Sequence, residues 1–484
     1  MTPLLEISPA ELAAHNTPQS AWIAINSAVY DVTDFVRIHP GGASVLLGLA
    51  GRDGTDEYKT AHPDDLVASV LGDRRVGVLT GPSSQDTTTT PPPLAPPEET
   101  KTQKPPLNTL ISTHDFRRAA QQYLPPRTLA FISSAATDSQ THHNNTKAYS
   151  LLTLRPLILR NVTPPISLAT SIQSHPVSSP IFACPTSMGL TVHSDGESAI
   201  ARACASLNMA QVISTSASSP LSSISHSYSP KKGKGVWFYQ LYVNHNLDSS
   251  KKHILEAVRL GAQGVWVTLD APVLGKREAD LRQKGIAAQV AGYISPSASW
   301  DSLLPWLTQI LPPGFPIVLK GVQTAADAKR AWECRDVKGI VISNHGGRSL
   351  DTSTPAVLVL LELHRCCPEV FEERDDGTKM EVYVDGGIWR GTDVFKALCL
   401  GARAVGVGRG VLYALGYGEE GVRRYFEILN DELKTTMQMC GITSLDQVHP
   451  GFVNTRAVDH LIPDSLDHDH HPYIKWRPHR RTKL

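Results

Sequence analysis

The chain has 484 residues, too long for one ordinary domain and long enough for a large barrel with a smaller module. Lys and Arg total 46 and Asp and Glu total 46, so the formal net charge is zero and neither nucleic acid nor an anionic membrane is indicated as a partner. The seven cysteines show no CxxC spacing, and no run of about 18 apolar residues occurs, which argues against a disulfide framework, a zinc site and a membrane span.

The N-terminal segment predicts a small domain with a β-hairpin and two notable histidines. Trp22 to Val32 reads as two short strands joined at Asn26 and Ser27. His39 and His62 are each followed by proline, and an apolar stretch lies between them. Two neutral imidazoles on opposite sides of an apolar slot are what a six-coordinate heme iron requires, whereas a turn with a surface histidine is the alternative for either motif alone.

Residues 22–42 and the second His-Pro pair resemble the heme-binding domain of cytochrome b5. The resemblance covers roughly residues 4–81 and implies that His39 and His62 are the axial ligands of heme b. We therefore expect residues 1–81 to form a small α+β cytochrome b5-like domain.

Residues 82–106 are rich in Ser, Thr and Pro and contain few apolar side chains that could anchor a fold. This composition is typical of a semi-extended linker. It separates the small domain from a large predicted catalytic domain, residues 107–447, and residues 448–484 are expected to be a C-terminal tail.

Beyond the linker, apolar β-rich runs alternate with helical patterns such as Asp248 to Leu260, Ala325 to Trp332, Pro355 to Leu363 and Gly391 to Leu400. The runs are continuously apolar, as expected of parallel strands covered on both faces. Eight such units predict an α/β fold, a (β/α)8 TIM barrel; a doubly wound sheet is the alternative, although no GxGxxG follows its first strand. The predicted strands are Ile181 to Met188, Gln211 to Ser216, Val236 to Val243, Gly264 to Asp270, Pro316 to Val322, Gly339 to Ser343, Glu381 to Gly387 and Ala404 to Gly410.

The segment Ser343 to Arg348 follows the sixth predicted strand and places His345 and Arg348 three positions apart. Barrel enzymes keep their chemistry at the carboxyl ends of the strands. Histidine can take a proton near neutral pH and arginine can bind a carboxylate through two parallel hydrogen bonds. The pair therefore suits an acid substrate that loses a proton, and Lys320 would add a positive charge at the same mouth.

The large domain resembles the FMN-dependent α-hydroxy acid oxidoreductases from about residue 112 to residue 443. A cytochrome b5 module followed by this barrel is the domain order of the flavocytochrome b2 type of that family. The resemblance implies oxidation of an L-2-hydroxy acid by FMN, with electron transfer through heme b to a one-electron acceptor such as cytochrome c. The motifs that carry it are Cys184 to Met188, Phe238 to Tyr242, Thr268 to Pro272, Gly275 to Asp280, Leu319 to Val322, Ser343 to Arg348 and Val384 to Leu400.

The resemblance also implies roles for single residues. His345 would be the base, Asp270 would stabilise the imidazolium that forms, and Tyr242 would hydrogen-bond the reacting hydroxyl. Arg348 would bind the substrate carboxylate, with Arg277 as a second guanidinium nearby. The residues implied to hold FMN are Cys184, Pro185, Thr186, Ser187, Ser214, Gln240, Thr268, Lys320, Ser343, Asp385, Gly386, Gly387, Gly408 and Arg409.

Two positions depart from the family pattern. Phe131 aligns with the first substrate-contacting tyrosine of the family and has no hydroxyl. Loss of one hydrogen bond to a charged group, worth roughly 1.5 to 3 kcal/mol, should weaken the binding of small acids such as lactate. Trp389 takes the position of an arginine on the phosphate side of the flavin, and Arg390 and Arg409 are expected to compensate.

The resemblance also implies a roomy pocket, because Ser216 stands where glycolate oxidase has a bulky aromatic residue and the segment from Asp280 to Trp300 is much shorter than the fourth loop of the family. We therefore expect a 2-hydroxy acid with a side chain larger than that of lactate. Two alternatives stay open: an (S)-2-hydroxy-acid oxidase that uses oxygen, and an inactive heme- and flavin-binding electron carrier.

The resemblance implies a homo-oligomer, a tetramer in the family. A cytoplasmic location is expected because no leader segment is visible, and the mitochondrion and the peroxisome are the alternatives.

Overall fold

The computed structural model describes residues 5–36, 39, 43–61, 66–80, 104–228, 235–283 and 294–464. The chain divides into two units, whose described parts fall within residues 5–80 and residues 104–464. Each unit has a hydrophobic core of its own.

The first unit is a mixed sheet with short helices. Its elements are β1 (Leu5–Ile7), α1 (Pro9–Ala14), β2 (Asn16–Thr17), β3 (Ser20–Ile25), β4 (Ala28–Asp31), α2 (Ala43–Leu49), α3 (Thr55–Ala61), α4 (Leu66–Leu71) and β5 (Arg75–Leu79). The strand order is β1-β5-β4-β3-β2, in which β1 runs parallel to β5 and the other neighbours are antiparallel.

The predicted hairpin is confirmed. β3 pairs with β4, and the turn residues Asn26 and Ser27 have φ angles of 50° and 63°. Positive φ at both central positions is the geometry of a tight hairpin turn whose twist matches that of the strands. The apolar side chains of the hairpin pack against Leu46, Val67 and Leu71 from the helices.

In the second unit, helices and short strands precede the barrel: α5 (Thr113–Tyr123), α6 (Pro126–Ser133), α7 (Gln140–Leu151), β6 (Thr153–Leu154), β7 (Thr170–Ile172) and β8 (His175–Val177). The hairpin of β7 and β8 lies at the amino ends of barrel strands, because Gln173 between them donates hydrogen bonds to Tyr383 and to the carbonyl of Lys338. This hairpin therefore covers the end of the barrel away from the chemistry.

Within the described residues, eight parallel strands close a barrel in the order β10-β11-β12-β13-β14-β15-β16-β9. Their bounds are β9 (Ile181–Ala183), β10 (Ala210–Ser214), β11 (Val236–Leu241), β12 (Val265–Thr268), β13 (Ile317–Val322), β14 (Val337–Ile342), β15 (Glu381–Asp385) and β16 (Ala404–Val407). The helices are α8 (Gly196–Ser206), α9 (Leu221–Ser225), α10 (Leu247–Arg259), α11 (Glu278–Arg282), α12 (Trp300–Ile310), α13 (Ala325–Glu333), α14 (Ala356–Cys366), α15 (Gly391–Cys399), α16 (Arg409–Leu415) and α17 (Gly418–Met439), and β17 (Val453–Asn454) pairs with β6.

Aromatic side chains fill the barrel interior. Trp266 lies at its centre, with ring centroids 5.2 Å from Phe182, 5.4 Å from Phe238 and 4.9 Å from Tyr383. The strands are buried almost throughout, which explains the continuous apolar runs from which the TIM barrel was predicted. The predicted fold class is confirmed, and no helix in the described part of the chain is long and apolar enough to cross a membrane.

Candidate active site

The side chains expected to perform the chemistry meet at the carboxyl ends of the strands. Asp270 follows β12, His345 follows β14 and Tyr242 follows β11. The Nδ1 atom of His345 lies 2.8 Å from Oδ1 of Asp270, and its Nε2 atom lies 3.3 Å from the Tyr242 hydroxyl oxygen. One ring nitrogen is thus held by a carboxylate while the other is directed at a phenol, which is the arrangement of an oriented general base.

The backbone after β14 holds His345 in this position. His345, Gly346 and Gly347 have φ angles of 56°, 62° and 76°, and the Asn344 side chain accepts a hydrogen bond from the Gly347 amide. A Cβ on Gly347 would lie 2.6 Å from the backbone nitrogen of His142 in α7. Only glycine therefore permits α7 to pack so close to the turn that carries the histidine.

Lys320 lies among carboxylates at the end of β13. Its Nζ atom is 3.2 Å from Asp385 and 3.8 Å from Asp270, and it donates a hydrogen bond of 2.9 Å to Ser343. Burial works to lower the pKa of Lys320, but the two carboxylates raise it above its ordinary value. Burial likewise works to raise the pKa of Asp270, whereas Lys320 and His345 bring it down to about 2. The lysine cation and the Asp270 carboxylate are therefore both charged at neutral pH.

The protonation states of the other two groups suit proton transfer. Burial lowers the pKa of His345, against the opposing effect of Asp270, so the ring is neutral and able to accept a proton at pH 7. Burial raises the pKa of Tyr242, so its hydroxyl stays protonated and can donate a hydrogen bond.

Three guanidinium groups lie beside this cluster. Arg348 donates to three carbonyl oxygens of the segment 131–134 at the end of α6, at 2.8, 3.1 and 3.3 Å. Arg409 donates to two carbonyls of the same segment and to that of Gly346, and Arg277 donates to the Arg348 carbonyl. Burial lowers the pKa of each of the three arginines, and the mutual proximity of the cations lowers that of Arg348 further. An anion bound here would relieve that repulsion.

The residues expected to hold FMN include a row of buried polar side chains. Ser214 donates to Oε1 of Gln240 at 3.1 Å, and Nε2 of Gln240 donates to Thr268 at 3.0 Å. With Lys320 on the next strand, the row offers donors and acceptors in alternation along the barrel mouth. This donor set fits the pyrimidine edge of a flavin, where ring nitrogens alternate with carbonyl oxygens.

The remaining flavin residues lie on loops at the same mouth. Gly386 and Gly387 follow β15 with φ angles of 88° and 84°, and a Cβ built on Gly408 meets only Cys184 within 4 Å among the described residues. The space beside Gly408 is open to a phosphate group, whereas Asn145 packs closely against the glycine pair, and a Cβ on Gly387 would lie 2.5 Å from the Asn145 carbonyl oxygen. With the row of polar side chains, the residues present fit FMN. The Cys184 thiol lies 3.7 Å from Asp385, and Cys184, Pro185, Thr186 and Ser187 form the loop that follows β9.

The two departures from the family pattern have clear structural surroundings. The ring of Phe131 is buried, with its centroid 5.1 Å from the Arg348 guanidinium carbon. The hydroxyl that a tyrosine would carry is therefore absent close to the expected carboxylate site. Trp389 is buried in the loop after β15 and stacks on His114 at 5.1 Å. Arg390, which was expected to compensate for Trp389, instead pairs with Glu432 at 2.9 Å.

The sequence analysis missed a cluster of basic side chains around Trp389. A cavity of about 350 Å³ lies between α5, α7 and the loop after β15. Basic residues three and four positions apart on α5 and on α7 were the sequence signal for this cluster. The sequence does not show, however, that the two helices pack side by side. The cavity is lined by His114, Arg117, His142, His143, Thr146, Lys147, Ser150 and Trp389.

One of the two histidines expected to bind heme is described. His39 is half-buried, with its ring centroid 5.6 Å from that of Phe35, and Phe35 in turn packs against the apolar core of the first unit. An imidazole beside an apolar core fits a heme ligand. His62 lies outside the described residues.

Comparison with known proteins identifies the class. Residues 120–291 and 283–455 match the family model of the FMN-dependent dehydrogenases, and residues 8–80 match that of the cytochrome b5-like heme/steroid binding domain. A barrel with an oriented base and flavin donors, joined to a heme module, defines an oxidoreductase of this class. The chain belongs to the FMN-dependent dehydrogenase family, and it is an FMN- and heme-dependent 2-hydroxy acid dehydrogenase.

The relatives have the same two-module organisation or share the barrel alone. The chain is 34% identical over 485 residues to L-lactate dehydrogenase (cytochrome) of Wickerhamomyces anomalus, covering 96% of this chain and 82% of that protein. A peroxisomal (S)-2-hydroxy-acid oxidase of Oryza sativa subsp. japonica is 35% identical over 375 residues, covering 72% of this chain and 97% of the oxidase. A solved structure of a flavocytochrome b2 mutant with pyruvate bound has a TM-score of 0.68 at 36% identity, covering 74% of this chain and 89% of that one.

Proposed function

We propose that the chain oxidises an L-2-hydroxy acid to the 2-oxo acid and passes the electrons through heme b to a one-electron acceptor such as cytochrome c. The observation that carries the proposal is the neutral imidazole of His345, held by Asp270 at 2.8 Å and bordered by arginines. The similarity to L-lactate dehydrogenase (cytochrome) over most of both chains supports the same reaction class.

The first step is binding of the substrate carboxylate by Arg348, with Arg277 as the second cation. Arg277 is buried and Arg348 is half-buried, and Arg348 donates hydrogen bonds only to backbone carbonyls among the described residues. Carbonyl oxygens carry no formal charge, so exchanging them for a carboxylate adds the attraction of an ion pair to the hydrogen bonds.

The next step is proton removal by His345. Its Nε2 atom takes a proton from the substrate, and Asp270 stabilises the imidazolium that forms. Tyr242, 3.3 Å from the same nitrogen, is placed to hydrogen-bond the reacting hydroxyl. Oxidation to the 2-oxo acid releases two protons and two electrons; bound FMN supplies the two-electron acceptor and heme b the one-electron carrier.

The cofactors would be held by the residues that the family resemblance implies. For FMN these are the loop after β9, the row from Ser214 to Thr268, Lys320 with Ser343 and Asp385, and the backbone around Gly387 and Gly408. For heme b, His39 and His62 are the proposed axial ligands. We also propose residues 1–81 as the heme domain, 82–106 as the linker, 107–447 as the catalytic domain and 448–484 as the tail.

The substrate is proposed to be bulkier than lactate. Phe131 presents an apolar ring rather than a hydroxyl beside Arg348, which disfavours a small acid and suits an apolar side chain. Anaerobic bleaching of the flavin should be faster with mandelate or a long-chain 2-hydroxy acid than with lactate. Faster bleaching with lactate would refute this part of the proposal.

The reaction itself is tested by anaerobic stopped-flow spectroscopy of His345→Gln. Substrate should bleach the wild-type flavin and then reduce the heme, while the variant should bind FMN but bleach at least about a hundredfold more slowly, as expected on loss of a general base. His226→Gln, at an exposed histidine, is the matched control and should behave as wild type. Unchanged bleaching in His345→Gln would overturn the proposed role.

An oxidase is the second candidate, because the barrel alone matches (S)-2-hydroxy-acid oxidases over 97% of one relative's length. The same experiment separates the two candidates. An oxidase would leave the heme oxidised after flavin bleaching and would regain the flavin colour on admission of oxygen. An inactive electron carrier would show no bleaching with any 2-hydroxy acid.

We further propose a tetramer, as in the family, which light scattering on the purified protein would test. The proposed location is the cytoplasm, with the mitochondrion and the peroxisome as alternatives. All seven cysteines are free thiols, which agrees with a reducing compartment, and imaging of a tagged chain would decide between the locations.

A further inference from the structure

None of the residues that line the basic cavity between α5 and α7 is assigned above to the substrate or to FMN. Its volume of about 350 Å³ lies in the lower part of the range for small-molecule pockets, about 300 to 1,000 Å³. Its lining contains an arginine, a lysine and three histidines, and no carboxylate among the described residues. A concave site with this composition attracts anions.

Trp389 is the rigid wall of the cavity. Its backbone amide donates to Asp393 at 3.0 Å, and its carbonyl accepts a hydrogen bond from Thr113. The His114 ring stacks on it with an interplanar angle of 15°, and the guanidinium carbon of Arg117 lies 5.9 Å from its ring centroid. These contacts set the positions of an imidazole and a guanidinium before any ligand arrives, which lowers the entropy lost on binding.

The cations of the cavity lack carboxylate partners. Neither Arg117 nor Lys147 forms an ion pair among the described residues, whereas the neighbouring Arg118 pairs with Asp115. Burial, together with the nearby Arg409 and Arg117, lowers the pKa of His142 to about 3. Burial and three arginines, Arg117 among them, similarly lower the pKa of His114. Burial first and the neighbouring cations second therefore favour the uncharged form of both imidazoles.

The cavity also adjoins the end of the barrel where the phosphate group of FMN is expected. His142 contacts Gly347, and Asn145, one turn further along α7, contacts Gly386 and Gly387. The cavity is thus separated from the glycine pair by a single turn of helix.

We propose that this cavity is a binding site for a phosphate monoester, with Arg117 and Lys147 as the charged contacts and Trp389 as the flat apolar wall. The ligand is a free phosphoester that binds beside the flavin. The phosphate group of FMN has the same chemistry and is the second source of a phosphoester that the experiment distinguishes. This second source rests on the proposed use of FMN.

The test compares wild-type holoenzyme with Arg117→Gln combined with Lys147→Gln. The control combines Arg118→Gln with Lys251→Gln, two exposed positions that do not line the cavity. Inorganic phosphate is titrated calorimetrically into each protein in phosphate-free buffer, and FMN release after dilution is followed by flavin fluorescence.

For a free phosphoester, wild type and control bind phosphate saturably, the cavity variant binds at least about tenfold more weakly, as expected on loss of two charge-assisted contacts, and FMN release is unchanged. For the flavin phosphate, no protein binds added phosphate, but the cavity variant releases FMN at least about tenfold faster than the control. Equal phosphate binding and equal FMN release in the cavity variant and its control would overturn the proposal. Both readouts measure binding, so they stand whether or not the protein turns over a hydroxy acid.

Discussion

At the scale of single residues, the pKa of His345 should set the pH below which kcat/KM declines. Burial lowers this pKa, and the base must be neutral to accept a proton. The value of kcat/KM should therefore stay constant as the pH falls toward the ordinary histidine pKa of about 6.5, and should decline only below it. A pH profile measured with a saturating electron acceptor tests this. A midpoint above pH 7 would show that Asp270 outweighs burial.

Phe131→Tyr should favour small substrates. The added hydroxyl would lie near Arg348, where a substrate carboxylate is expected, and one hydrogen bond to a charged group contributes roughly 1.5 to 3 kcal/mol, or about tenfold or more in affinity. Steady-state kinetics should show a lower KM for lactate with little change in kcat. An unchanged KM would mean that the substrate does not approach this ring.

Much of the site was predictable residue by residue. The position of the segment Ser343 to Arg348 directly after a strand was enough to place His345 and Arg348 at the barrel mouth, and the structure brings Asp270 and Tyr242 to the same histidine. The hydrogen bonds of Arg348 and Arg409 to backbone carbonyls were not predictable. Every residue has a backbone carbonyl, and the sequence does not show which of them will face an arginine. The pairing of Arg390 with Glu432 likewise depends on two helices meeting.

At the scale of elements, the contact between the turn after β14 and α7 should be intolerant of any side chain. Gly347→Ala adds a Cβ 2.6 Å from the His142 nitrogen at a φ of 76°, whereas Gly377→Ala has a similar φ of 73° and meets no described residue within 4 Å. The control should cost about 1 to 2 kcal/mol of unfolding free energy from backbone strain alone. Overpacking should cost Gly347→Ala about 1 to 3 kcal/mol more.

Urea unfolding of the two variants measures this difference, and flavin fluorescence reports whether the site survives. Equal losses in the two variants would mean that α7 moves aside at little cost, and that the position of His345 does not depend on this contact.

The barrel strands were predicted in number and order, but their ends were not. The first predicted strand ran from Ile181 to Met188, and the observed strand ends at Ala183. Cys184 and Met188 are apolar like strand residues, but Pro185 cannot donate to a strand ladder and was the signal that the strand ends early. Residues 184–188 form a loop at the barrel mouth instead.

At the scale of the whole molecule, the two units should be separable by function. His39→Ala should remove the proposed axial ligand and abolish the heme b spectrum, while substrate still bleaches the flavin at the wild-type rate. His15→Ala, which changes another histidine of the first unit, is the control. Absorbance spectra and cytochrome c reduction follow both effects, and a normal heme spectrum in His39→Ala would exclude this ligand.

Each unit carries its own sequence pattern, which explains why both folds could be predicted. The basic cavity could not, because it joins side chains from His114 to Trp389 that meet only after the barrel closes. Each helix carries basic residues at helical spacing, but neither pattern shows that the two helices meet.

The hydrogen bonds of Arg348 and Arg409 to the shared segment 131–134 link the proposed carboxylate site to the proposed phosphate site. The carbonyls of Ile132 and Ser134 accept from both side chains, so withdrawal of one guanidinium toward an incoming anion changes what the other can bind. Binding of the substrate carboxylate and binding of a phosphate group would then be coupled through the backbone of the segment 131–134. We therefore expect non-additive effects in a double-mutant cycle. The loss of binding free energy in the double variant should differ from the sum of the losses in Arg348→Gln and Arg409→Gln.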